Sequence, residues 1–155
     1  MSREKILQKL KQNCHHDIKR ESFEYPKTTY HDKLKAFEEA LKNAGGELVY
    51  SLDGIDVDIV LKAKLGVCEN GAVWIDAKDL QKRSDIVLPK VIAIKLHKKN
   101  LVHNMHEALN KISFDNIGYG VFLSGASKTA DIEQSLVIGA HGSLRLLVYL
   151  EGEDR

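Results

Sequence analysis

The sequence predicts an α/β fold with a largely covered sheet, and three observations predict it. Helix-like and strand-like segments interleave along the chain. Several strand-like segments are almost wholly apolar, such as "VIAIKL" at 91–96 and "LRLLVYL" at 144–150, as strands buried on both faces are. The 155 residues, 43% hydrophobic and 29% charged, suffice for one real core, and the chain shows no repeat or evident boundary. Residues 1–155 therefore read as a single domain, with 1–30 as an N-terminal helix and connecting segment and 151–155 as a solvated tail.

The elements follow in order. Residues 3–13 form a short amphipathic helix with Ile6, Leu7 and Leu10 on one face. "RESFEYPKTTYHD" breaks that pattern at Pro26 and connects, anchored by Phe23, Tyr25 and Tyr30. From Asp32 to Ala44 the spacing of Leu34, Phe37, Leu41 and Ala44 is helical, and Gly45-Gly46 stops the helix. "ELVYSL" (47–52) reads as a strand, whereas "DIVLKAKLG" fits either a helix or a strand. Asn70-Gly71, between apolar segments, marks a tight hairpin. After the strand at 91–96, Asn100 is expected to cap a helix over 101–112 bearing Leu101, Met105, Leu109 and Ile112. "YGVFLSG" is the next strand, "TADIEQS" a short helix, and "LVIGAHG" and "LRLLVYL" close the chain as strands.

Composition excludes several function classes. A net charge of +1 gives no general attraction to nucleic acid or to an acidic membrane. The apolar runs are too short to span a bilayer. "MSREKILQKLKQN" lacks the apolar stretch of a secretory signal, so a cytoplasmic location is expected. Cys14 and Cys68 form no C-x-x-C pair and read as ordinary thiols that cannot hold an iron–sulfur cluster by themselves. His103 and His106 are spaced to share a helix face, but no convincing ligand pattern joins them, and no metal site is expected. Trp74 reads as core.

The segment "GVFLSGASKTADIEQSLVIGAHG" (120–142) carries the chemistry. Gly120 and Gly125 have the separation of a Walker A loop, but Ala126 follows the second glycine and Lys128 comes two positions late, so nucleotide hydrolysis is not expected. A strand, a glycine turn and a helix start still favour an anion through free backbone N–H groups and the helix dipole. On that reading Gly125, Ser127, Lys128 and Thr129 hold the anion. Asp131 and Glu133 stabilise the helix start and compete for Lys128. His141 ends a strand beside Gly142, where open α/β sheets bind ligands.

The same residues carry a resemblance. Ser124, Gly125, Ser127 to Glu133, His141 and Gly142 resemble the S-[KR]-T-A-D-I-E and H-G signature of the LUD-domain lactate-utilisation family, in particular its component of type C. The likeness covers most of residues 45–150. Ala126 and Ser143 stand where the family usually has proline, and Asn70 and Ala72 where an A-E-T-G-T-like hairpin has threonine.

The resemblance implies an open, mostly parallel sheet flanked by helices, similar to the sugar-phosphate isomerase and CoA-transferase superfamily. It implies work beside iron–sulfur partner proteins that oxidise L-lactate to pyruvate, with the clusters on those partners and no cofactor in this chain. Glu69-Asn70-Gly71 also looks like the S-E-N-G element of CoA-transferases, whose glutamate attacks a thioester. An alternative is therefore a small-metabolite enzyme with Glu69 and His141 as catalytic groups and an anionic small molecule at Ser127 to Thr129. A third reading is a regulatory or scaffold domain in which these motifs are architectural. Whether the chain catalyses, and whether it forms a homo-oligomer, the sequence leaves open. Glu69, Lys128 and His141 are expected to converge.

Overall fold

The computed structural model describes residues 2–12, 27–113, 118–130, 136–138 and 142–152. The first helix, α1 (Arg3–Gln12), forms where the spacing predicts it, but it buries no residue, and Ile6, Leu7 and Leu10 stay exposed. The second, α2 (Lys33–Asn43), begins at Asp32, whose side chain accepts from Lys35 N at 3.0 Å, satisfying one of the free first-turn donors. It ends in a Schellman motif: Gly46 N donates to Leu41 O and Gly45 N to Lys42 O, both at 2.9 Å. Its apolar stripe buries Phe37 and Leu41 completely. Burial of side chains this large contributes about 1.5–3 kcal/mol each.

Among the described residues ten strands and one more α-helix follow in chain order. They are β1 (Glu47–Val49), β2 (Ile59–Lys62), β3 (Leu65–Val67), β4 (Ala72–Asp76), β5 (Val91–His97) and β6 (Leu101–Val102). After α3 (Met105–Lys111) come β7 (Gly120–Leu123), β8 (Lys128–Ala130), β9 (Leu136–Ile138) and β10 (Arg145–Glu151). They make an all-parallel sheet of order β1-β10-β5-β2, a mixed sheet of order β6-β3-β4-β7, and a β8-β9 hairpin.

The two longest strands of the parallel sheet, β5 and β10, are the two segments read from the sequence as mainly apolar. β10 lies between β1 and β5, pairing Leu147 with both Glu47 and Ala93. One face of the sheet presents Ile92, Ile94 and Leu96 together with Leu146, Val148 and Leu150. These pack with Phe37 and Leu41 of α2 and Val73 and Ile75 of β4 into the main core. A smaller cluster of Val67, Ala72, Val102 and Ala108 joins the mixed sheet to α3. The mixed sheet is thus an inner layer between the main core and α3. β1 and β2 sit at opposite edges of the parallel sheet, and residues 50–58 join them without a helix.

One open local reading is settled and two expectations are corrected. The ambiguous "DIVLKAKLG" is two strands that belong to different sheets, β2 and β3, with the chain turning at Ala63 and Lys64. Asn100 does not cap a helix over 101–112. Leu101 and Val102 are buried and extend parallel to Gly66 and Val67, so the helix starts later, and Asn104 caps it by accepting from Glu107 N at 2.9 Å. The helix expected at "TADIEQS" does not start at Thr129. Lys128 to Ala130 are strand, paired antiparallel with Leu136 to Ile138. A ladder partner within reach, and the β-branched Thr129, favour the extended backbone. Residues 131–135 lie outside the described residues.

Candidate functional site

The hairpin motif closes through a loop longer than a two-residue turn. β3 and β4 pair antiparallel out to Val67 and Ala72, leaving residues 68–71 as the connection. Asn70 Oδ1 accepts from Ala72 N at 3.1 Å, and Gly71 N donates to Val67 O at 2.9 Å. Gly71 has φ of +66°, and a Cβ there would lie 2.5 Å from Leu41 Cα and 2.8 Å from Ala40 C. The loop is therefore pressed directly against the backbone of α2.

This loop presents Glu69 to solvent. Its Oε2 accepts from Met105 N at 3.0 Å, at the first turn of α3. Glu69 and Asn70 line a cavity of about 510 Å³ with Lys27, Thr28, Asn104 and His106. Asn104 Nδ2 donates to Thr28 O at 2.9 Å, closing one side. His103 precedes α3, which carries His106, and its Nδ1 accepts from Tyr30 N at 3.0 Å. Among the described residues no group of three His, Cys, Asp or Glu side chains is placed to hold a metal. Cys68, next in the loop, is buried, its Sγ donating to Lys33 O at 3.2 Å, and burial pushes its thiol up to about 11.

The glycine turn after β7 forms a second cavity, of about 470 Å³. Gly125 is buried with φ of +71°, and a Cβ there would strike Ala44 O, so the turn seats directly on the end of α2. Ala126 N donates to Gly45 O at 3.3 Å and Ser127 N to Ser143 O at 3.0 Å. Gly142 packs on Ser127: a Cβ placed there would lie 2.9 Å from Ser127 Cβ. A Cβ placed on Gly45 would lie 2.8 Å from Lys128 Nζ, so the ammonium sits over the carbonyl end of α2, a favourable place for a cation.

The sequence-derived site is thereby partly rearranged. Gly125, Ser127, Lys128 and Gly142 are brought together, but not as a helix N-terminus. The amides of Ala126 and Ser127 have protein acceptors, and Thr129 pairs in the β8-β9 ladder with Val137. Any anion here would meet side chains rather than an open nest of amides. Glu69 and Lys128 line different cavities. A hydrogen bond from Ser124 Oγ to Asn70 O at 2.7 Å joins the two loops. His141, Asp131 and Glu133 lie outside the described residues.

One polar cluster had no counterpart in the motif reading. Asp76, at the end of the buried strand β4, is 3% exposed. Lys64 Nζ donates to its Oδ2 at 2.6 Å and Lys78 N to its Oδ1 at 3.0 Å. The Lys64 ammonium, helped by that amide, holds the Asp76 carboxyl below the usual carboxylate range. The available signal was an aspartate ending an otherwise apolar segment, "AVWID". A cavity of about 380 Å³ adjoins it, with Trp74, Lys111 and Ser113 in its lining.

Comparison with known proteins adds to this geometry. A model of the LUD domain matches residues 5–150. A lactate utilization protein C of Halalkalibacterium halodurans is 31% identical over 117 residues, covering 72% of this chain and 50% of that protein. A lactate utilization protein C of Shouchella clausii is 34% identical over 106 residues, covering 64% and 45%. The chain thus spans about half the length of the curated relatives it matches. A crystal structure of a DUF162 family protein from Deinococcus radiodurans superposes with a TM-score of 0.59 at 15% identity. It covers 77% of this chain and 96% of that one, a likeness of fold.

Proposed function

The chain belongs to the LUD-domain family, and from that premise we propose that it serves lactate utilisation, as a component that works with iron–sulfur partner proteins and carries no cluster itself. The observation that supports this reading most is the similarity to two lactate utilization proteins C, 31% and 34% identical over 117 and 106 residues. Cys68 is buried with its thiol pushed up to about 11, a poor starting point for a thiolate ligand. On this reading the clusters, and the electrons taken from L-lactate, reside on the partners.

Deletion of the gene in its host, with growth measured on L-lactate as sole carbon source, tests the role. Loss of growth, restored by this chain, is expected. A tagged chain should also co-purify with iron–sulfur proteins identified by their absorbance and iron content. Unchanged growth, together with elution of the chain alone, would sink the proposal.

A second reading, a small-metabolite enzyme, is favoured by the placement of Glu69. One carboxylate oxygen is held by Met105 N, and the side chain faces a cavity shared with His106 and Asn70. That geometry suits a base or nucleophile. Saturable turnover of an acyl-CoA or a sugar phosphate that Glu69→Gln abolishes would support it. Equal behaviour of the two proteins would remove it.

A further inference from the structure

The lining of the second cavity joins a polar group, Lys128 and Ser127, to an apolar one, Ile86, Val87 and Leu146. Among the described residues no carboxylate lies in salt-bridge range of Lys128. The end of α2 beneath it carries roughly half a negative charge, which one ammonium more than matches.

Exposure adds an independent observation. Val87, in the lining, is 45% exposed, and Leu88, next in the chain, is 77% exposed. Both belong to a fixed loop: Asp85 Oδ2 accepts from Lys82 N at 2.8 Å, and Leu88 N donates to Ser84 O at 2.9 Å. An apolar side chain held out in the lining of a cavity, as Val87 is, is what an apolar ligand would cover.

We propose that this cavity binds an aliphatic monocarboxylate with a chain longer than that of lactate. Its carboxylate rests on Lys128 and Ser127, and its alkyl chain lies along Ile86, Val87 and Leu146. A phosphate is disfavoured, because the amides of Ala126 and Ser127 have protein acceptors and one lysine cannot match a dianion with several acceptor oxygens. Size argues against lactate as the natural occupant. With roughly 30 Å³ per water in the liquid, a three-carbon acid would leave most of the cavity of about 470 Å³ wet. The assignment goes beyond a role in lactate utilisation and does not depend on it.

Calorimetric titration of the whole chain with acetate, hexanoate, octanoate, L-lactate and inorganic phosphate tests this. Affinity should rise about fourfold per methylene from hexanoate to octanoate, and L-lactate and phosphate should bind more weakly than either. Lys128→Gln should weaken octanoate at least tenfold, Val87→Asp should flatten the chain-length dependence, and Lys111→Gln, beside another cavity, should change nothing. Near-ultraviolet circular dichroism of each variant checks that it folds. Absent saturation with octanoate, phosphate or lactate binding as tightly, or a chain-length dependence that survives Val87→Asp would each overturn the proposal. A failed titration with intact dependence of lactate growth on the gene removes the ligand assignment and spares the proposed function; the opposite pair does the reverse.

Discussion

Replacing Gly71 with alanine should destabilise the protein more than its small size suggests. Two costs add. At φ of +66° a Cβ crowds its own backbone, roughly 1–2 kcal/mol for a residue other than glycine. The new methyl also meets the main chain of α2, lying 2.5 Å from Leu41 Cα and 2.8 Å from Ala40 C. Neither atom belongs to a side chain that can swing away, so overpacking adds about 1–3 kcal/mol. The sum, about 2–5 kcal/mol, corresponds to a fall in Tm of about 4–20 °C at roughly 2–4 °C per kcal/mol for a chain of this size. Gly54→Ala is the matched control: φ is +73°, and nothing lies within 4 Å of its Cβ. Only the backbone cost applies there. Urea and thermal unfolding followed by circular dichroism give both values. If Gly71→Ala costs no more than Gly54→Ala, the loop is not seated on α2 and the reasoning fails.

The remaining predictions concern charge, capping and reactivity. Asp76→Asn should cost about 2 kcal/mol at neutral pH, the range for a hydrogen bond between charged groups with one partner buried. Since the folded Asp76 carboxyl is held below its ordinary value, its contribution is full above about pH 4 and is lost as pH falls through the folded pKa. The gap between the two proteins in unfolding titrations should therefore close in acid; a gap that widens there would contradict the pairing. Asn104→Ala should lose about 1 kcal/mol as a helix cap while Asn100→Ala costs less, and the reverse order would restore the longer helix. Cys68 should resist alkylation at pH 8 in peptide-resolved labelling and react on unfolding, because burial holds its thiol up at about 11; rapid native labelling would show the loop to be open.

What the sequence disclosed depended on how long each signal ran. β5 and β10 were legible because each carries a run of four or more consecutive apolar residues, Val91 to Ile94 and Leu146 to Leu150, which leaves few alternatives. α2 was legible because an aspartate start, a four-residue stripe and a glycine pair agree. β6 was hidden, being a two-residue strand, too short to show a period and flanked by two asparagines that both look like caps. "DIVLKAKLG" stayed ambiguous because one apolar run serves two sheets, and its bend at Ala63 and Lys64 carries no glycine or proline. The Thr129 helix start failed because pairing with a segment several residues downstream outweighed local preference. At the candidate site, the Glu69 loop and the Gly125 turn could be found from residue types alone. Their assignment to separate cavities could not, since it depends on how each loop seats on α2.

The place of β10 bears on the order of events during synthesis. It is the late-made strand that completes the parallel sheet, pairing Leu147 with Glu47 on one side and with Ala93 on the other. Until residues 145–151 leave the ribosome, β1 has no neighbour in its sheet and β5 has a neighbour on one side alone. The nascent chain must therefore wait with an apolar strand edge bare, and closing so long a loop carries an entropic cost met only at the end. A ribosome that stalls shortly before Arg145 would release a chain with every residue of the Gly125 turn but no finished sheet to hold it, a species for chaperones rather than for metabolism.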